Sequence, residues 1–321
     1  MENEVLGVFL DSETIMQQAS DFSALTSTLD KWEFYDTTSA SVLKERIINA
    51  DVVVTNKVPL TGEILQQASR LKCICIAATG SDHVDIAAAK ALGITVCNVV
   101  DYSTDSVIQH TIGLLIALAS RIVDYDALIK QGAWVKAKHF CLQNYRTMEL
   151  AGKVLGIVGY GAIGKGVAQC ARMLGMQVQV AARQGQEPSA DRVSLLNLLP
   201  QVDVLSLHCP LTLETRDLIG ECELAMMKPG ALLLNVSRGG IVNEAALAKA
   251  LISGHLGGCG LDVSAKEPPL EDSPLFQKPI PNLIATPHVA WSTQEARLRL
   301  LNGIAANIRG FLAGQPSNVL G

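Results

Sequence analysis

Aromatic side chains are scarce in this chain: Phe, Tyr and Trp together make up 4% of its 321 residues. That argues against a core built on packed rings and leaves most of the apolar 49% to Ala, Val, Leu and Ile. Such a mixture suits parallel strands covered by helices on both faces. Long hydrophobic runs are also lacking, and none approaches the ~20 apolar residues of a membrane span. The opening MENEVLGVFLDSE carries acids where a secretory signal needs bases, so a cytoplasmic location is expected. The net charge is −5 with the two signs interspersed. No basic stripe is present, which argues against nucleic acid or a membrane surface as partner. Eight cysteines are scattered without a CxxC pair or a zinc-like spacing. Cys73 and Cys75, in the run KCICIAA, fall on one face of a strand and read as buried thiols. No metal is expected.

Short apolar runs alternate with helical patterns along the whole length, the signature of an α/β chain. The first group of strands is EVLGVFL, DVVVTN (51–56), KCICIAA (72–78) and ITVCNV (94–99). A long apolar helix is predicted from Ser103 to Ser120. The second group is VLGIVG (154–159), VQVAA (178–182), VDVLSLH (202–208), ALLLNVS (231–237), GGCGLDV (257–263) and NLIATPH (282–288). A charged helix from Ser292 to about Ala313 then has the length to return to the first group. At 321 residues two domains are expected. They are residues 1–100 with 291–321, and residues 101–290.

Gly159-Tyr160-Gly161-Ala162-Ile163-Gly164 follows a strand and opens a helix, the context that gives a GxGxxG string its meaning. Gly159 permits the tight turn, Gly161 lets the backbone approach a pyrophosphate, and Gly164 lets helix and strand pack closely. A dinucleotide would place its phosphates on the free N–H groups of Ala162, Ile163 and Gly164. A glycine-rich turn without a ligand is the alternative. The end of the following strand reads Val180-Ala181-Ala182-Arg183. An acid there would hold a ribose 2′-OH, but Ala182 occupies the place and Arg183 follows. The missing acid and the guanidinium favour NADP(H) over NAD(H). Arg183 also fits a solvated surface residue.

Three further segments, LLLNVSRGGIVNE (232–244), GLDVSAKEPP (260–269) and LIATPHVAWS (283–292), each run from an apolar strand into polar residues. Ligands of open α/β sheets bind at such strand ends. Arg238, Glu267 and His288 are therefore the candidate reactive set. Taken singly, Arg238 fits a surface ion pair, Glu267 a loop acid and His288 a structural histidine. His83, His110, His139, His208 and His255 read as non-catalytic, with His110 on a buried helix face.

These segments resemble the D-isomer-specific 2-hydroxyacid dehydrogenase family, whose catalytic trio is Arg, Glu and His. The resemblance extends to ATGSDHVD (78–85), SVIQHT (106–111), LHCPLT (207–212) and MMKPGALLLN (226–235), and so covers nearly the whole chain. Within the family, TNKVPL (55–60), SVIQHT and HVAW (288–291) look most like the glycerate dehydrogenase, or hydroxypyruvate reductase, branch. The fold implied is two doubly wound parallel-sheet domains, one Rossmann-like and one flavodoxin-like, with a cleft between them. The first domain would bind substrate and the second the dinucleotide.

The implied reaction reduces hydroxypyruvate, and also glyoxylate, by hydride transfer from NAD(P)H. His288 would be the general acid in that direction. Glu267 would orient its ring, and Arg238 would offer a planar fork to the substrate carboxylate. The resemblance also implies that N–H groups near Thr79, Gly80 and Ser81 cradle that carboxylate. Asp262 would orient the nicotinamide carboxamide, and His208, Cys209, Pro210, Thr215 and Val236 would line the cofactor site. Asn56 and Lys57, at a strand end, are candidate substrate contacts, although Lys57 fits a solvated loop equally well. Trp134 and Phe140 lie where the family has its dimer arm, so a homodimer is expected. Two alternatives stay open: a family member for a different 2-keto acid, and a dinucleotide-sensing binding protein without turnover.

Overall fold

The computed structural model describes residues 4–15, 22–183, 185 and 191–321. The chain divides into two compact units, Met1–Ser103 with Ser292–Gly321, and Thr104–Trp291. Each unit holds one all-parallel sheet.

In the first unit the strands are β1 (Leu6–Phe9), β2 (Lys31–Phe34), β3 (Val52–Thr55), β4 (Cys73–Ile76) and β5 (Thr95–Cys97). Their order is β2-β1-β3-β4-β5, a flavodoxin-like winding whose direction reverses between β1 and β3. β3 and β4 are buried along their whole length, as runs of VVVT and CICI require when both faces are covered. Val8, Leu10, Val53, Ile74 and Ile76 form part of this core. Sequence reading missed β2. Its four residues, KWEF, form an edge strand with no fully buried position, and charge alternates there with aromatics. Phe34 and Phe22 pack edge-on at 5.1 Å, which seats that edge.

In the second unit the strands are β6 (Val154–Val158), β7 (Gln177–Val180), β8 (Val204–Leu207), β9 (Leu232–Asn235), β10 (Gly258–Leu261) and β11 (Leu283–Ala285). The order is β11-β10-β9-β8-β6-β7, with Val193 adding a one-residue parallel bridge to Ala181 beyond β7. The winding reverses between β6 and β8, as in a Rossmann fold. The helices Thr104–Ser120 and Ala162–Met173 cover one face, burying Leu114, Leu115, Leu118, Val167 and Ala171. The helix Glu244–Ile252 helps cover the other face with Leu247 and Leu251. Each fully buried aliphatic side chain contributes about 1.5–3 kcal/mol. The helix Thr104–Ser120 buries positions 107, 111, 114, 115 and 118, the spacing of one helical face.

The predicted strands run further into their polar tails than the real ones. β11 stops at Ala285, so Thr286, Pro287 and His288 leave the sheet. β6 stops at Val158, because Gly159 turns the chain at φ +93°. No helix among the described residues is long and apolar enough to cross a membrane.

Candidate active site

The glycine loop has the shape its spacing demands. A Cβ on Gly159 would lie 2.5 Å from the carbonyl carbon of His208, so β6 and β8 can approach at the reversal point only with glycine there. A Cβ on Gly164 would lie 2.1 Å from the Gly159 carbonyl oxygen, so the helix packs directly on the turn. Gly161, the residue before the helix Ala162–Met173, has open space where its side chain would be. It provides no side-chain cap, so the first N–H groups of the helix face that space. A cradle of bare backbone at the positive end of a twelve-residue helix fits a pyrophosphate.

At the end of β7 the half-buried Ala182 donates its N–H to Val193 O at 2.7 Å, and Arg183 is exposed. Gln184, the next residue of that string, lies outside the described residues. The Ala181–Val193 bridge brings Arg192 alongside, where it lines a groove of about 570 Å³ with Tyr160, Arg172, Gln179 and Asp191. Arg192 was missed by sequence reading because the pairing that places it is a single bridge. The exposed Glu214 carboxylate accepts from the Thr212 hydroxyl at 2.6 Å. This bond holds it below the usual carboxylate range, with a smaller contribution from Arg183.

Beyond β8, His208 Nε2 meets Ser206 Oγ at 2.8 Å. Its Nδ1 is buried without a hydrogen-bond partner among the described residues. Burial pushes the ring down to about 4, so it is neutral at physiological pH. Burial also pushes the Cys209 thiol up. Thr215 clasps the loop that follows, donating to Pro210 O and accepting from Thr212 N–H, both at 2.7 Å.

The candidate reactive set comes from the ends of the neighbouring strands β9, β10 and β11. After β9 the buried Asn235 accepts the Ser237 N–H and hydroxyl and donates to Arg238 O at 2.9 Å. It thereby fixes the turn after Val236, and Arg238 Nη1 donates to Ser237 O. A Cβ on Gly239 would fall 1.9 Å from Ser264 O, so the Arg238 turn lies directly against the loop that carries Glu267. Glu244 holds that loop, accepting from Ser264 Oγ at 2.9 Å and from Ala265 N–H at 2.7 Å. Glu267 accepts the Ser264 N–H through Oε1 and pairs through Oε2 with His288 Nδ1 at 2.6 Å. His288 has φ +56°, a left-handed backbone that costs on the order of 1–3 kcal/mol and persists only where its surroundings impose it.

Asp262, 1% exposed, supplies that constraint. Its Oδ1 accepts Val289 N–H at 2.9 Å and faces the Thr286 hydroxyl at 2.6 Å, while Oδ2 accepts Ala290 N–H at 2.8 Å. Both oxygens are thus engaged by the loop that carries His288. Sequence reading gave this acid a cofactor role and did not foresee the loop contacts, since they join residues 24 to 28 positions apart. It also missed Asn235 and Glu244, which look like ordinary strand-end and helix-start polar residues.

In the first unit the reversal point between β1 and β3 is occupied by Asp11, another buried acid that sequence reading missed. Asp11 accepts the N–H groups of Asn56 at 2.9 Å and Lys57 at 2.7 Å, and burial raises its carboxyl. Asn56 Nδ2 donates to Thr14 Oγ1 at 2.9 Å, which ties its side chain to the segment after β1. Past β4, Thr79 donates its hydroxyl to Val99 O, and its carbonyl accepts Asn98 Nδ2, which fixes the turn into Gly80 and Ser81. His83 stands beside Lys57; burial first, then that ammonium, pushes its ring down to about 4.

Residues 112–290 match the family model for the NAD-binding domain of D-isomer specific 2-hydroxyacid dehydrogenases. The chain is 42% identical to a glycerate dehydrogenase of Methylorubrum extorquens, over 98% of both chains. It is 38% identical to a hydroxypyruvate reductase of Blautia hydrogenotrophica, over 89% of this chain and 90% of that one. Among solved structures, the TT0316 protein from Thermus thermophilus superposes with a TM-score of 0.89 at 33% identity, covering 99% of this chain and 100% of that one.

Proposed function

As the chain belongs to the D-isomer-specific 2-hydroxyacid dehydrogenase family, whose members act with NAD(P) on small 2-keto and 2-hydroxy acids, we propose that it reduces hydroxypyruvate to D-glycerate. Glyoxylate, smaller by one hydroxymethyl group, is the second substrate. The observation that carries this reading is the 2.6 Å His288–Glu267 pair at the carboxyl ends of adjacent strands.

When bound, the dinucleotide supplies the hydride. The residues of the chain must then deliver a proton to the carbonyl oxygen as charge develops on it. Glu267 accepts the Nδ1 proton, which sets the ring and leaves the Nε2 proton of His288 for the substrate. In the reverse direction the neutral ring takes that proton back. Arg238 presents a guanidinium fork to the substrate carboxylate and draws charge toward the carbonyl. The N–H groups of Thr79, Gly80 and Ser81 serve as carboxylate donors, and Lys57 attracts the anion. Asn56 acts through the shape of its turn.

The glycine cradle binds the pyrophosphate, and His208, Cys209, Pro210, Thr215 and Val236 border the rest of the cofactor. Orientation of the nicotinamide carboxamide is the role we assign to Asp262 beyond its loop contacts. Preference for NADP(H) is supported by the missing acid at Ala182 and by two arginines, Arg183 and Arg192, at that edge. A homodimer is supported by Ile122, Val123, Ile129, Trp134, Val135 and Phe140, which are all exposed, Val135 by 92% and Phe140 by 89%. Eight unpaired thiols support a reducing, cytoplasmic setting.

The test is initial-rate oxidation of NADPH and NADH with hydroxypyruvate, glyoxylate and a branched 2-keto acid. Fast hydroxypyruvate turnover with NADPH is the expected result. Preference for the branched acid would replace the substrate. Tight dinucleotide binding with no turnover of any keto acid would replace the enzyme by a sensing protein.

A further inference from the structure

The helix Thr104–Ser120 opens with SVIQHT, a string for which hydride and proton transfer find no use. Ser106 and His110 stand four residues apart and therefore share one helix face. Ser106 donates its hydroxyl to Ala290 O, and His110 Nε2 lies 2.9 Å from Thr286 Oγ1. Thr286 and Ala290 are the residues two before and two after His288. One helix face thus grips the His288 loop on both flanks.

The hydrogen bonds have a defined direction. Thr286 has a single hydroxyl proton and faces Asp262 Oδ1 at 2.6 Å, an oxygen that already accepts the Val289 N–H. Its proton goes to that carboxylate oxygen, so toward His110 the hydroxyl is an acceptor and His110 carries its proton on Nε2. The chain His110–Thr286–Asp262 then ends on the N–H groups of Val289 and Ala290, which hold His288 at φ +56°. His110 Nε2 also lies 3.7 Å from Asp262 Oδ1, so the three side chains are grouped closely.

We propose that His110 and Ser106 are positioning residues for His288, acting through Thr286, Asp262 and the backbone of Ala290. The proposal rests on the assignment of His288 as proton donor. Both residues are taken to act through the loop rather than on the reacting atoms. Their effect is to keep the imidazole where its Nε2 proton meets the carbonyl oxygen, while Glu267 sets the ring from the other side. Positional errors of about 1 Å cost on the order of 100-fold in rate, so a loosened loop shows in kcat before it shows in binding.

The experiment uses the full chain and its variants Thr286→Val, Thr286→Ser, His110→Ala, His110→Gln and Ser106→Ala. Three quantities are read: kcat and KM for hydroxypyruvate, the dinucleotide Kd by fluorescence, and amide hydrogen exchange of the 286–291 segment. Thr286→Val and His110→Ala should lower kcat by about 10- to 100-fold with an unchanged dinucleotide Kd. Both should also speed exchange at Val289 and Ala290. Thr286→Ser restores the hydroxyl and should recover both readouts, and His110→Gln should recover part. Unchanged exchange in Thr286→Val and His110→Ala would overturn the proposal, as would faster exchange with an unaltered kcat. If the wild type turns over no keto acid, the functional reading fails instead, and exchange alone decides the helix–loop coupling. A variant that fails to fold is replaced in this comparison by its conservative partner.

Discussion

The two units solve one problem with different materials. Each winds a parallel sheet whose direction reverses once, between β1 and β3 in the first and between β6 and β8 in the second, and each reversal opens a crevice at the strand ends. In the second unit the crevice is shaped by absent side chains: Gly159, Gly161 and Gly164 clear the approach to a helix N-terminus. In the first, a buried carboxylate, Asp11, gathers the N–H groups of Asn56 and Lys57 and folds the turn around itself. Subtraction leaves an imprint on the sequence, because glycines at fixed intervals are rare by accident. Gathering does not, since one Asp after a strand looks like any other.

The comparison can be broken most forcefully at His288. His288→Ala should lower kcat/KM for hydroxypyruvate by about 100- to 10,000-fold while dinucleotide affinity holds, measured by steady-state rates and fluorescence titration. A variant that keeps wild-type rates would leave the side chains of the second unit without their assigned chemistry.

Within the glycine loop, Gly164→Ala and Gly161→Ala should part company. The first forces a Cβ to 2.1 Å from a backbone oxygen and should prevent soluble expression or lower the melting temperature sharply. The second has room for its methyl, so the protein should fold and lose dinucleotide affinity about tenfold.

Asp11→Asn tests the gathered turn. One carboxylate oxygen becomes an amide donor facing N–H groups, so KM for hydroxypyruvate should rise about tenfold with the dinucleotide Kd unaltered. A change in Kd would show that the turn of the first unit serves the whole fold rather than substrate.

Arg183→Ala is expected to have a smaller effect, raising the KM for NADPH several-fold and leaving that for NADH as it was. Equal changes for both cofactors would remove the 2′-phosphate argument and leave Arg192 as the residue to vary next.

The mildest test uses acid. His83 in one unit and His208 in the other are both pushed down to about 4 from the ordinary 6.5, mainly by burial. Between these values the unfolded chain binds the proton and the folded one does not, so stability rises with pH across that window and is lost as pH falls through it. Each ring is worth on the order of 1–3 kcal/mol. Chemical denaturation at pH 4.5 and pH 7 should therefore show less acid loss in His208→Gln than in the wild type. The two rings should act additively, since they lie in separate units.

Most of the strands were legible because buried parallel strands such as VVVT, CICI and LLLN are continuous apolar runs. β2 was not, since an edge strand with one polar face lacks that signal. The candidate trio stood out through its place after three such runs, and the family resemblance gave it its expected roles. Asn235, Glu244, Asp11 and Thr286 escaped notice. Glu244, Asp11 and Thr286 bond to groups that only folding brings near, and Asn235 closes a local turn whose geometry a strand-end Asn does not announce.

The sequence by itself determined the α/β class and the glycine cradle, which rest on residue type at short spacing, and it offered Arg238, Glu267 and His288 as candidates through their place after apolar runs and the family resemblance. Only the tertiary structure decided that His288 adopts a left-handed backbone, that Glu267 meets its ring at 2.6 Å and that Asp262 and the helix Thr104–Ser120 hold its loop. Those outcomes depend on strands β9, β10 and β11 lying side by side, and hydrogen bonds across a sheet carry no local signature.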